Sequence, residues 1–123
     1  MKSKCKIDSN GTKRWCNYKN ELHRENGPAY ESANGHKAWY FHGKRHRTDG
    51  PAIVHVNGDK EWWLNDKLHR EDGPAVIRIN GYKEYWFDGI KQKMSKKKIK
   101  ENIIVKTKDI LLPIIYKRYI ELD

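Results

Sequence analysis

Three histidines, His23, His46 and His69, recur every 23 residues, and each is followed directly by an arginine: Arg24, Arg47 and Arg70. Asp49 and Asp72 stand three places after the second and third histidines. Imidazole, guanidinium and carboxylate in a row could bind a metal, move a proton or grip phosphate, and each use makes a different demand. Zinc ligands sit about 2.0–2.1 Å from the ion. If one repeat is two strands, neighbouring histidines lie roughly 10 Å apart, too far to share a metal. Acid–base or nucleophilic catalysis needs one constellation, not a triplicated set. The sequence therefore predicts no catalytic, metal or cofactor-binding residues. A single-site metal using Cys5, Cys16 or His42 stays open. Two uses remain for the repeated groups. In one, Asp49 or Asp72 orders a turn while the histidine and arginine bond backbone carbonyls or a nearby acid, as Arg70 could with Glu71 or Asp72. In the other, Arg24, Arg47 and Arg70 form a row of cations along one edge and track a polyanion.

The elements that position these groups are also repeated. The stretch Leu68-His69-Arg70-Glu71-Asp72-Gly73-Pro74-Ala75 has earlier copies at 22–29 and 45–52. Asn-Gly pairs follow the same beat at Asn10, Asn34, Asn57 and Asn80, with one extra residue in the first interval. A fixed period of this size marks a repeat architecture. Asn-Gly between alternating runs predicts a β-hairpin with a two-residue type I′ turn, in which both residues take positive φ. Four such hairpins give about eight strands. That turn sets Tyr30 opposite Trp39, Ile53 opposite Trp62 and Val76 opposite Tyr85. With Trp15, Phe41, Leu64 and Phe87 these form an aromatic inner face. The other face carries Glu31, His36 and Tyr40, then Val54, Glu61 and Trp63, then Ile77, Glu84 and Trp86. In Asp49-Gly50-Pro51 and Asp72-Gly73-Pro74 the glycine is expected to take the unusual φ and the proline to start the next strand. Short second turns precede the motif at His42-Gly43-Lys44, Asn65-Asp66-Lys67 and Asp88-Gly89-Ile90.

Composition narrows the class. The chain has 123 residues, 37% hydrophobic and 34% charged, with a formal charge of +10. That is one domain without material for a thick core. No run approaches the roughly 18 apolar residues of a membrane span, and no apolar stretch follows the N-terminus, so neither an integral membrane association nor a signal peptide is expected. Localisation is expected to be cytoplasmic. Cys5 and Cys16 fall on facing strands but at a wide, hydrogen-bonded pair, and they read as reduced thiols filling space.

Units of 23 residues that join a strand, an aromatic and a bend, with Gly43-Lys44 at the bend and Trp39 and Trp62 at the aromatic position, resemble MORN-type repeats (membrane occupation and recognition nexus) in their divergent form. The Leu-His-Arg-Glu-Asp-Gly-Pro-Ala version is similar to repeats in proteins of giant DNA viruses and phages. The resemblance spans about residues 9–93, and the His-Arg-x-Asp-Gly-Pro-Ala turn replaces the family's simpler Gly-x-Gly. It implies an elongated, twisted antiparallel sheet used mainly for protein assembly, and, if the chain is viral, residence in the host cytoplasm.

From Ser95 the pattern changes. Ser95 reads as an N-cap, Ile99 and Ile103 share a helical stripe, and Pro113 breaks or starts a second piece. The expected architecture is mainly β: a single-layer antiparallel sheet of four repeated MORN-like hairpins over 1–93 (repeats about 5–26, 27–49, 50–72 and 73–93), with a basic, amphipathic helical segment over 94–123 packed on or capping the sheet. The expected function is a non-enzymatic protein–protein interaction module, acting through a protein partner or a second copy of the chain, and inhibiting or scaffolding a host factor. Its candidate contact residues are Tyr40, Glu61, Trp63, Glu84 and Trp86, where copies differ and tryptophans face solvent. The alternative is a nucleic-acid or anionic-surface binder using Arg24, Arg47, Arg70 and the run Lys96, Lys97 and Lys98.

Overall fold

A computed structural model describes residues 2–93. The helical expectation for 94–123 lies outside the described residues. Thirteen short strands replace the expected eight: β1 Lys4–Ile7, β2 Lys13–Cys16, β3 Tyr30–Glu31, β4 Lys37–Ala38, β5 Tyr40–Phe41, β6 Lys44–Arg45, β7 Ile53–Val54, β8 Lys60–Glu61, β9 Trp63–Leu64, β10 Lys67–Leu68, β11 Val76–Ile77, β12 Lys83–Phe87 and β13 Ile90–Gln92. Nine pair antiparallel in the order β1-β2-β3-β4-β7-β8-β11-β12-β13, while β5 with β6 and β9 with β10 form two-stranded ribbons. The main-chain course is thus mainly β and built of repeated hairpins. No helix among the described residues is long and apolar enough to cross a membrane.

The Asn-Gly bends are not the expected two-residue turns. His55 N donates to Asp59 O at 2.9 Å and Gly58 N to His55 O at 2.9 Å, which encloses three residues. Gly11, Gly35, Gly58 and Gly81 take positive φ, but their asparagines do not. This is a type I turn followed by one left-handed residue. The asparagine stays right-handed because its side chain accepts the amide two residues on, as Asn57 Oδ1 does from Asp59 N at 2.9 Å and Asn80 Oδ1 from Tyr82 N at 2.9 Å. Type I′ turns occur instead at the second bends, where His42 with Gly43, Asn65 with Asp66 and Asp88 with Gly89 all have positive φ. In the first unit that bend is the longer Tyr18-Lys19-Asn20, closed by Asn17 N on Glu21 O at 2.9 Å, which accounts for the extra residue.

One residue of slip reverses every side chain. Tyr30 faces Ala38, Ile53 faces Glu61 and Val76 faces Glu84, not Trp39, Trp62 and Tyr85. By strand alternation Tyr30, Ile53 and Val76 leave the tryptophan face, and Glu31, Val54 and Ile77 join it. Cys5 lies opposite Trp15 and Cys16 opposite Lys4, so the thiols sit on opposite faces. Both are free, and Cys5 is exposed where a filled space was expected.

The buried apolar residues are small. Ala29, Ala52 and Ala75 are fully buried, with Ala38 and Val76 close behind. Each motif alanine occupies the strand row between two aromatic residues, Ala29 and Ala52 between tryptophans and Ala75 between Trp62 and Tyr85: Trp15 N donates to Ala29 O at 2.8 Å, Trp39 N to Ala52 O at 2.7 Å and Trp62 N to Ala75 O at 2.8 Å. The large rings are covered by arginine. The guanidinium carbons of Arg24, Arg47 and Arg70 each lie 3.9 Å from the ring centroids of Trp15, Trp39 and Trp62. The motif glycine closes the other side. A Cβ on Gly27, Gly50 or Gly73 would stand 2.9, 3.0 or 3.1 Å from the arginine Cζ. None of these glycines has positive φ, so the expected backbone reason gives way to a steric one. Gly50→Ala should therefore destabilise the protein by roughly 1–2 kcal/mol through the displaced guanidinium. In an Arg47→Ala background, urea unfolding should show most of that cost gone; an equal cost in both backgrounds would contradict the packing account.

Candidate functional site

The motif ties each repeat to the next. His23, His46 and His69 donate their main-chain N–H to Trp15, Trp39 and Trp62 O (2.9, 3.0 and 3.1 Å), whereas Arg24, Arg47 and Arg70 donate theirs one unit further, to Tyr40, Trp63 and Trp86 O (3.2, 3.1 and 3.1 Å). The imidazoles also reach across: Nδ1 of His23, His46 and His69 accepts the amides of His42, Asn65 and Asp88 at 2.9, 3.1 and 2.8 Å. That acceptor role puts the ring proton on Nε2. Nε2 of His69 is 3.3 Å from Glu71, and the buried Nε2 of His23 is 3.8 Å from Glu25.

The arginines are equally occupied. Arg24, Arg47 and Arg70 donate from Nη1 to the carbonyls of Pro28, Pro51 and Pro74 at 3.1 Å, and Arg47 and Arg70 donate from Nε to Asp49 and Asp72 at 2.9 Å. Their side chains are 27%, 24% and 23% exposed, against 82% for Asp49 and 81% for Asp72. The outer edge of the turn thus presents carboxylate more than guanidinium. Between successive motif turns lie two equivalent open furrows of about 630 and 680 Å³, with Trp39 and Trp62 among their lining residues.

Tyr40, Trp63 and Trp86 occupy one position in successive repeats, and Glu61 and Glu84 lie two residues before the tryptophans, on the same side. Trp63 Nε1 donates to Glu61 at 3.0 Å and Trp86 Nε1 to Glu84 at 2.8 Å. The five residues are half-buried. Glu61 also receives His55 Nε2 and Arg78 Nη1, both at 3.1 Å. Burial acts to raise its carboxyl, but the bonds from Trp63, His55 and Arg78 outweigh burial and leave it below the usual range. Bonds from Tyr82 and Trp86 lower Glu84 in the same direction. Arg45 covers Trp63 at 3.6 Å from its ring centroid and pairs with Asp66. Lys96, Lys97 and Lys98 lie outside the described residues.

One feature escaped sequence reasoning. Lys13, Lys37, Lys60 and Lys83 align across the sheet, alternating with Glu31, Val54 and Ile77 as direct strand neighbours. The signal was present as Asn-Gly-x-Lys in all four repeats, but the two-residue turn would have set Lys37, Lys60 and Lys83 opposite Ser32, His55 and Arg78 rather than Glu31, Val54 and Ile77. All four are exposed, and none of their side chains has a hydrogen bond or ion pair among the described residues. Every arginine of the described chain, by contrast, has a partner.

No group of three or more histidine, cysteine, aspartate or glutamate side chains among the described residues is placed to hold a metal ion. Compared with known protein families, curated proteins and solved structures, the chain shows no match.

The paired carboxyls set a pH dependence. Asp49 is held below the ordinary carboxylate range by the hydrogen bond from Arg47, Asp66 by that from Arg45, Asp8 by that from Arg14 and Asp59 by the amide of Ile79. Each folded value lies below the unfolded one. The stability these groups add is complete above the unfolded carboxylate range and drains as pH falls through the folded values. The melting temperature should hold between pH 7 and 5 and fall below about pH 4; a flat profile to pH 3 would show the pairs to be immaterial.

Proposed function

We propose that this chain is a non-enzymatic protein-interaction module, a MORN-like repeat sheet that serves as a rigid platform for a protein partner or a second copy of itself. The observation that carries this reading is the row of Tyr40, Trp63 and Trp86, with two indoles held in fixed orientation by Glu61 and Glu84. Half-buried, pre-oriented aromatics are the usual anchors of protein interfaces, since little side-chain entropy is lost when a partner covers them. The repeated histidines and arginines support it indirectly, because the imidazole Nδ1 atoms serve contacts between repeats and the guanidiniums serve contacts within the motif turn. The resemblance to viral and phage repeats adds that the partner would be a host factor in the cytoplasm. A nucleic-acid reading built on Arg24, Arg47 and Arg70 draws less support, because those guanidiniums are stacked and paired.

Trp63→Ala combined with Trp86→Ala should remove a captured partner, or convert a dimer to a monomer in light scattering, while the protein keeps a cooperative melt. Retained binding by the folded double variant would refute this face as the contact surface. If the truncation unfolds the protein, Tyr40→Ala with Trp86→Phe makes the same test with less packing lost.

A further inference from the structure

We infer that the opposite face of the sheet is a second interaction surface, and that it takes an acidic amphipathic α-helix laid across the strands. This inference rests on the protein-binding reading above but uses none of its residues. Its basis is the row Lys13, Lys37, Lys60 and Lys83, one lysine per repeat, exposed and without a partner among the described residues. A sequence that matches every described arginine to a carboxylate, a carbonyl or a ring, yet repeats four unmatched lysines at one register, keeps those charges for something outside the fold.

Spacing and neighbours define the occupant. Lysines two strands apart are separated by about 9.5 Å, and one heptad of α-helix rises about 10.5 Å. A helix crossing the sheet at right angles could therefore set one carboxylate against each lysine, the flexible side chains absorbing the small difference. A nucleic-acid backbone meets a similar spacing every third nucleotide, about 10 Å, so spacing alone does not choose. The apolar residues do. Val54 and Ile77 stand in the lysine row itself, and Glu31 holds the corresponding place between Lys13 and Lys37 at its first end. Beside them, at the Asn-Gly bends, Val56 and Ile79 are 57% and 67% exposed. Each of these two packs over the glycine of the preceding bend, so the apolar stripe is continuous from repeat to repeat. Burying such a stripe favours a partner with an apolar face. The stripe itself is aliphatic, and the Trp15, Trp39 and Trp62 rings that share its face are already stacked by Arg24, Arg47 and Arg70, so it lacks the free aromatics on which single-stranded bases stack or which anchor helices at a bilayer interface. The chain's own C-terminal stretch is rich in lysine, and like charge disfavours it here.

The test uses the full chain and a synthetic four-heptad helical peptide carrying one glutamate per heptad with leucine and alanine on the same face. Calorimetry should detect binding to the parent protein. Lys37→Glu with Lys60→Glu should weaken it at least tenfold, and Val56→Ser with Ile79→Ser should weaken it as well, while both variants melt like the parent. The Trp63→Ala and Trp86→Ala variant should bind the peptide undiminished, which separates this surface from the first. No peptide binding by the parent overturns the inference. So does binding of a mixed-sequence DNA duplex or phosphatidylserine vesicles that displaces the peptide and ignores the Val56 and Ile79 substitutions.

Discussion

The structure depends on one interaction made three times: an arginine laid flat on the tryptophan of its own repeat and closed in by a glycine. Arg47 shows its consequences. Its guanidinium covers Trp39, its Nη1 holds the Pro51 carbonyl, its Nε holds Asp49, and its main-chain N–H reaches Trp63 in the next unit. A large ring on a single-layer sheet would otherwise face water on one side, and no second layer is present among the described residues to cover it. The arginine supplies that cover, and cation–π contact of this type contributes about 0.5–2 kcal/mol depending on desolvation. Glycine follows in the motif because only a residue without Cβ leaves room for the guanidinium. Proline follows glycine because its carbonyl is needed and its amide is not, and alanine because it must fit between two aromatic residues.

The histidines complete the coupling. By accepting an amide of the next repeat's second bend, each Nδ1 fixes the bend's position relative to its predecessor. A parallel rail runs along the Asn-Gly edge, where the amides of Ala33, Val56 and Ile79 donate to Thr12 Oγ1, His36 Nδ1 and Asp59 Oδ1. The same geometric slot is filled by a hydroxyl, an imidazole and a carboxylate in turn, so the slot selects an acceptor rather than a residue. Nearest-neighbour ties of this kind are how a repeat array with little core accumulates stability. They also leave the residues outside these rails as the place where a partner surface is proposed.

The repeat period, the hairpins and the bend positions were legible because Asn-Gly, Asp-Gly-Pro and the 23-residue beat are local signals. The faces were not. Whether Asn57 takes positive φ is decided by a hydrogen bond that its own side chain accepts, and the turn that results reversed the assignment of Val54 and Ile77. The structural use of the His-Arg pairs was readable from their triplication, but the tryptophan under each arginine was not. Trp39 and Arg47 are eight residues apart and meet only because a two-residue bend returns the chain between them. Tyr40, Trp63 and Trp86 could be grouped from sequence because their spacing is the repeat itself. The lysine row had the same regularity, but its apolar neighbours Val54 and Ile77 depend on the register.

The claim on which all of this rests is that the motif is an internal latch whose arginine and tryptophan are energetically coupled. A double-mutant cycle of Arg47→Ala and Trp39→Ala, read by urea denaturation of the intact chain, measures that coupling directly. The account predicts a coupling energy of about 1–2 kcal/mol. Additive losses, with no coupling between the two substitutions, would contradict it.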